Sequence, residues 1–158
     1  MKKGRTSEQL ASAGSEMDIL LVEDDARDAE LTLNALEQCG FAQRVVHVND
    51  GTEALDFIAC AGSFAHRHPP IQPKLILLDL GLNKMGGLHV LRHLKSDERT
   101  RGIPVVVLTS SVVAIQLVES YRLGVNSYVI KPTDARRFAE TVAGIGHYWL
   151  KLNEPPPR

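Results

Sequence analysis

The sequence predicts a doubly wound α/β domain, in which helices cover both faces of a five-stranded parallel sheet. Five short apolar runs alternate along the chain with five segments of helical periodicity. The runs are apolar throughout, which is typical of strands buried on both faces in a parallel sheet. The length of 158 residues corresponds to one domain with short tails.

The first two strand–helix units follow a polar leader. Residues 1–16 have no periodicity, and we expect them to be disordered. The predicted strands are 19–22 and 45–48, and their helices are 26–38 and 52–60. Asp25 is expected to cap the first helix, and Gly40 stops it.

Three more units follow a proline-rich loop at 61–73, which no helix or central strand could contain. The predicted strands are 75–78, 105–108 and 125–130, and their helices are 87–95, 112–122 and 134–150. Ser110 or Ser111 is expected to cap the fourth helix. The folded domain is therefore predicted over 17–150, with a proline-rich tail at 151–158.

Composition excludes several classes of function. The 18 Lys and Arg residues against 19 Asp and Glu residues give a net charge of -1, so no basic field favours nucleic acid. No apolar run reaches the roughly 20 residues of a membrane span. Two cysteines without a CxxC pattern suit a reducing compartment. We expect a cytoplasmic protein that binds neither nucleic acid nor membranes.

Polar side chains follow four of the predicted strands. Glu23 and Asp24 follow the first strand, Asp79 the third, Thr109 ends the fourth and Lys131 follows the fifth. The carboxyl ends of parallel strands meet at one edge of the sheet. Crowded carboxylates repel one another unless a cation such as Mg²⁺ joins them, and a lysine there suits a phosphoryl group. Each residue alone has ordinary uses in caps and turns, and only their joint occurrence indicates a site.

The segments ILLVEDD, LILLDL, VVVLTSS and SYVIKP resemble, in this order, the receiver domain of two-component response regulators. The resemblance covers about residues 17–150. It implies a flavodoxin-like sheet with strand order 2-1-3-4-5 and phosphorylation by a histidine kinase. The segments GHYWLKLNEPPP and DAELTLNAL are further similar to the single-domain regulators that partner phytochrome-type kinases.

The resemblance also implies a role for each motif residue. Asp79 would accept the phosphoryl group. Glu23, Asp24, Asp79 and the backbone carbonyl of Gly81 would hold Mg²⁺.

Three further residues would respond to phosphorylation in such a receiver. Thr109 would donate its hydroxyl to the phosphoryl group, Lys131 would pair with it, and Tyr128 would be the aromatic switch. Because only eight residues follow the predicted last helix, we expect signalling by protein–protein contact without an output domain.

Two rival interpretations stay open at this stage. An aspartyl-nucleophile phosphohydrolase would need a second acid two residues after Asp79, where this chain has Gly81. A scaffold receiver that never turns over phosphate conflicts with the intact Asp79, Thr109 and Lys131. We therefore expect a switch and not an enzyme. Neither Gly81 nor Ser111 could orient an attacking water, which predicts a long-lived phosphoryl group.

The fourth helix has two apolar stripes, one more than an outer-layer helix needs. Ile115, Val118 and Tyr121 form the stripe expected to face the sheet. The other stripe, Val113 and Leu117, is left for a contact surface. Together with the C-terminal segment, it predicts a homodimer. The predicted dimer surface comprises Val113, Leu117, Tyr128, Trp149 and Leu152.

Overall fold

A five-stranded parallel sheet with order β2-β1-β3-β4-β5 forms the centre of the domain, as the resemblance implied. The computed structural model describes residues 17–41, 44–67 and 72–157, and the predicted leader lies outside them. The strands are β1 (Ile19–Val22), β2 (Val45–Val48), β3 (Leu75–Leu78), β4 (Val105–Thr109) and β5 (Ser127–Ile130). All residues of β1, β3 and β4 are buried, because helices cover both faces of the sheet.

The helices form two layers. They are α1 (Ala26–Gln38), α2 (Gly51–Ala59), α3 (Gly87–Ser96), α4 (Ala114–Leu123) and α5 (Ala135–His147). Helices α1 and α5 bury Leu36 and Phe138 against one face of the sheet. Helices α2 and α3 bury Phe57 and Leu91 against the other. Both faces of the predicted sheet are therefore confirmed as core.

The register brings the ends of neighbouring strands to one level. Val22 pairs with Leu78, so the residues that follow them, Glu23 and Asp79, lie side by side. Thr109 pairs with Ile130, and the backbone amide of Lys131 donates a hydrogen bond to the carbonyl of Thr109 at 2.8 Å. The polar residues expected at the carboxyl edge of the sheet are thus brought to that edge.

Helix α4 differs from its prediction. It begins at Ala114, and neither Ser110 nor Ser111 caps it, because the N-cap residue Val113 makes no side-chain cap bond. The stripe expected to face the sheet is exposed, as the following side chains show: Ile115 (75%), Val118 (49%) and Tyr121 (54%). Ser120 is the only buried residue of the helix. Helical periodicity identifies an apolar stripe but not whether that stripe is buried, and here the buried side chain is that of the small polar Ser120.

The C-terminal segment packs on its own domain. Helix α5 ends at His147 and continues as one π-helical turn, Tyr148–Leu152. Trp149 is half-buried against the core of the α1 and α5 face, whereas Leu152 is 64% exposed. Prolines 155–157 line a cavity with Lys74 and Pro104, at the amino ends of β3 and β4. Across the described ranges, no helix has the length and apolar character that crossing a membrane requires.

Candidate functional site

Three carboxylates meet where β1 and β3 end. Glu23, Asp24 and Asp79 each place an oxygen within 4.8 Å of the oxygens of the other two. Glu23 and Asp79 are buried, and Asp24 is half-buried with its Oδ2 accepting the backbone N–H of Asn83 at 3.0 Å. Oxygen donors grouped in this way are the ligands of a hard divalent cation.

The protonation of Glu23 reflects this crowding. Burial and the charge of nearby Asp79 together raise the pKa of Glu23 to about 7, against the lowering effect of Lys131. A buried acid pushed toward protonation by its neighbours is stabilised as a carboxylate when a cation binds. The cluster therefore fits a divalent cation on its own chemistry.

The ammonium of Lys131 lies among the acids. Its Nζ is 2.5 Å from Oε2 of Glu23, 2.9 Å from Oδ2 of Asp28 and 3.3 Å from Oδ2 of Asp79. Burial lowers the pKa of Lys131, but its hydrogen bonds to Glu23 and Asp28 raise that pKa above the ordinary value. The lysine is therefore a fixed positive charge beside Asp79.

Asp79 is held in its ionised form. Burial raises the pKa of its carboxyl, but this is outweighed by the charge of Lys131 and by hydrogen bonds from the Gly81 amide, Glu23 and the Thr109 hydroxyl, which bring the pKa below its ordinary value. The Gly81 amide donates to Oδ1 of Asp79 at 3.1 Å. An ionised carboxylate with a cation beside it has the lone pairs of a nucleophile.

Thr109 and Tyr128 are connected through the backbone of Ser111. The amide of Ser111 donates to Oγ1 of Thr109 at 3.3 Å, and the hydroxyl of Tyr128 donates to the carbonyl of Ser111 at 3.1 Å. Thr109 is fully buried, and Tyr128 packs against the core of the α2 and α3 face. The backbone of Ser111 therefore joins Thr109, at the carboxyl edge of the sheet, to the hydroxyl of Tyr128.

The structure brings together Glu23, Asp24, Asp79, Thr109 and Lys131, as the strand ends predicted. Asp25 caps α1 as expected, since its Oδ1 accepts the amide of Asp28 at 2.8 Å. The carbonyl of Gly81 as a metal ligand stays a prediction.

Sequence reasoning missed two residues that contact the site. One is Asp28, the partner of Lys131. Its position in the first turn of α1, three residues after the capping Asp25 and close to the end of β1, could have indicated this contact. The other is His47, whose Nε2 lies 2.8 Å from the backbone oxygen of Glu23. Nothing in the motif pattern indicated this second contact.

Residues 19–143 match the family model of the response regulator receiver domain. The chain is 39% identical to the probable methanogenesis regulatory protein FilR2 of Methanothrix harundinacea, over 99% of this chain and 98% of that protein.

Two solved structures have the same fold. The phosphorylated cyanobacterial phytochrome response regulator RcpA is 37% identical, with a TM-score of 0.83 over 90% of this chain and 100% of that chain. The Mn²⁺-bound form of Rcp1, a response regulator of Synechocystis, is 33% identical, with a TM-score of 0.80 over 89% of this chain and 99% of that one. The family match, the sequence identities and the common fold together show that this chain belongs to the response regulator receiver domain family.

Proposed function

We propose that the protein is a phosphorylation switch in which Asp79 accepts a phosphoryl group from the phosphohistidine of a histidine kinase. One observation carries this assignment. Asp79 is the ionised carboxylate that lies both in the three-acid cluster and within 3.3 Å of the ammonium of Lys131. Glu23 makes both contacts as well, but its side chain is 3% exposed, whereas that of Asp79 is 10% exposed. The pKa of Glu23 is raised to about 7 by burial, whereas the pKa of Asp79 is below its ordinary value, so Asp79 is the better nucleophile of the two.

The transfer step balances with these residues. A carboxylate oxygen of Asp79 forms a bond to phosphorus, the N–P bond of the phosphohistidine breaks, and the imidazole leaves with the bonding electron pair and takes a proton from solvent. Lys131 donates to the phosphoryl oxygens, where negative charge develops. The product is an acyl phosphate on Asp79.

We assign the cation as Mg²⁺, held by the carboxylates of Glu23, Asp24 and Asp79 and by the backbone carbonyl of Gly81. When bound, the cation neutralises charge on the transferring phosphoryl group. The support is the cluster itself, together with the Mn²⁺ found in the structure of Rcp1.

The response to phosphorylation runs through Ser111 in this proposal. Thr109 donates its hydroxyl to the phosphoryl group and draws the backbone of Ser111 with it. Tyr128 then loses its acceptor on Ser111 and turns toward the space left by Thr109. The result is a shift in population between two packings of the surface formed by α4 and β5.

The proposed partner is a phytochrome-type histidine kinase, because RcpA is named as a phytochrome response regulator and matches 90% of this chain. We propose signalling without hydrolase activity, because Gly81 offers no second acid beside Asp79. Cys39 and Cys60 are free thiols, which suits the cytoplasm.

We also propose a homodimer through α4, β5, the last helix and the turn that follows it. The support is the exposure of the apolar side chains of α4, together with that of Ile130 in β5, which is 42% exposed. Trp149 and Tyr128 are half-buried in their own domain, so they would form the margin of this interface and not its centre.

The deciding experiment measures phosphorylation by intact mass. The chain with acetyl phosphate and Mg²⁺ should gain one phosphoryl group, and chelation of the metal should prevent the gain. Asp79→Asn should stay unmodified, whereas Asp97→Asn, at the end of α3, should be modified as wild type is. Modification of Asp79→Asn at the wild-type level would overturn the assignment. In parallel, a phosphorylated phytochrome-type kinase should lose its label to this chain faster than a kinase of another sensor class.

A further inference from the structure

The carboxylate of Asp28 contacts Lys131 without joining the three-acid cluster. Asp28 lies in the first turn of α1, and its Oδ2 is 2.9 Å from Nζ of Lys131. The side chain of Lys131 is 5% exposed and that of Asp28 is 30% exposed. Asp28 therefore approaches the buried ammonium from the solvent side.

The three N–H groups of Lys131 have three carboxylate acceptors among the described residues: Glu23, Asp28 and Asp79. Under the proposed function, Glu23 is also a ligand of the cation and Asp79 carries the phosphoryl group. Glu23 then shares its carboxylate with the cation, and Asp79 shares its carboxylate with the phosphoryl group. Asp28 is the acceptor whose contact with the lysine does not compete with the cation or the phosphoryl group.

We propose that Asp28 is a positioning residue, which holds the ammonium of Lys131 at Asp79 while the cation and the phosphoryl group occupy the other two acids. The inference rests on the proposed function, because it assumes that Lys131 acts on a phosphoryl group attached to Asp79.

The backbone around Asp28 is suited to this role. Its amide donates to the capping Asp25 at 2.8 Å, and its carbonyl accepts the hydroxyl of Thr32 at 2.8 Å. Both contacts fix the first turn of α1, so the carboxylate is presented from a preorganised position. Preorganised groups that orient a catalytic side chain contribute to rate without touching the reacting atoms.

If Asp28 acted only through its negative charge, its removal would change the rate of phosphorylation in the opposite direction. Asp28 adds a negative charge near an incoming anionic phosphoryl group, and if that charge were its only effect, its removal would speed phosphorylation. A positioning role predicts that removal of the hydrogen-bond acceptor slows phosphorylation. The direction of the change therefore separates the two roles.

The test is a double-mutant cycle on the rate constant of phosphorylation by acetyl phosphate at saturating Mg²⁺. Asp28→Ala should slow the reaction about tenfold, since a hydrogen bond to a charged group contributes roughly this factor. Asp28→Asn, which keeps an acceptor oxygen, should retain most of the rate. In a Lys131→Met background, Asp28→Ala should cause no further loss.

The control is Glu30→Ala, which removes an exposed acid from the same helix and should leave the rate unchanged. Equal losses from Asp28→Ala with and without Lys131, or a rate that is unchanged or faster, would overturn the inference. Failure of the proposed function would look different, because wild type itself would then gain no phosphoryl group or Asp79→Asn would gain one.

Discussion

A Cβ atom built on Gly87 would lie 2.3 Å from the backbone oxygen of Asp79. The same atom would lie 2.6 Å from Cα of Leu80, so the first residue of α3 is in direct backbone contact with the residues after β3. The loop between them contains Gly81 and Asn83, which contact Asp79 and Asp24. The absence of a side chain at 87 therefore supports the position of the candidate acceptor.

Gly87→Ala should lower the free energy of unfolding by about 1–3 kcal/mol, because the clash is with backbone and cannot be relieved by a rotamer change. The neighbouring Gly86 supplies the matched control, since a Cβ there meets nothing within 4 Å. Gly86→Ala should leave stability within about 0.5 kcal/mol of wild type. Denaturant titrations of both variants measure the difference, and equal stabilities would contradict the argument.

The phosphoryl group on Asp79 should be long-lived, and a polar side chain at Gly81 should shorten its lifetime. A Cβ at 81 would lie 3.7 Å from both carboxylate oxygens of Asp79, which is ordinary contact, so a larger residue fits there. Gly81→Asn with Ser111→Glu places an amide and a carboxylate where they can orient water for in-line attack. The rate of label loss after removal of the donor should rise at least severalfold.

Gly81→Ala with Ser111→Ala is the control for this lifetime, because it changes both positions without adding a group that can orient water. Its rate of label loss should match that of wild type. A wild type that already loses label as fast as the polar double variant would exclude the explanation.

Lys95 should make stability depend on pH in the alkaline range. Its Nζ donates to the carbonyls of Arg101 and Ile103 and to Oδ1 of Asn126, at 2.9–3.0 Å. Burial lowers the pKa of Lys95 to about 8. Below that pH the amine is charged in both the folded and the unfolded state. The cost of burying its charge then lowers the free energy of unfolding in full.

As pH rises through about 8, the folded state releases this proton while the unfolded state keeps it up to the ordinary value of 10.5. The unfolded state then binds more protons, so the contribution of Lys95 to the free energy of unfolding rises with pH in this window. Subtracting the curve of Lys95→Met from that of wild type between pH 7 and 9.5 isolates this contribution. A flat or falling difference would contradict it.

Charge on the exposed face of α4 should abolish self-association. Val113 and Leu117 are 51% and 39% exposed, and replacing both by Glu places charges on a surface that dimerisation would desolvate. Sedimentation should show a dimer for wild type and a monomer for Val113→Glu with Leu117→Glu. Glu30→Lys with Glu37→Lys, on exposed positions of α1, is the control and should remain dimeric. A monomeric wild type at high concentration, with and without beryllofluoride, would remove the dimer proposal.

The sheet and the acid cluster could be predicted from the sequence because each depends on short-range pattern plus topology. Continuous apolar strands such as β3 occur only where both faces are covered, and parallel order brings Glu23 and Asp79 to the same edge. These inferences need no knowledge of side-chain packing.

Which face of α4 is buried could not be predicted in the same way. Its residues offer apolar stripes on two sides, and periodicity does not state which stripe is buried. The packing of Ser120 decides it, and a serine has little weight in any hydrophobic pattern. Lys95 was missed for a related reason, since an amine at the polar end of α3 gives no sign that three carbonyl oxygens surround it.

Because only one residue of α4 is buried, this helix should have a lower local stability than the rest of the domain. Opening α2 or α3 exposes fully buried core side chains such as Phe57 or Leu91, whereas α4 contributes only the partly buried Leu123 to the same core. Amide protons of α4 should therefore exchange through local fluctuations at a free energy well below that of global unfolding. Phosphorylation at the carboxyl edge of the sheet could therefore change the conformation of α4 alone. The sheet and the other helices would stay folded as one cooperative unit.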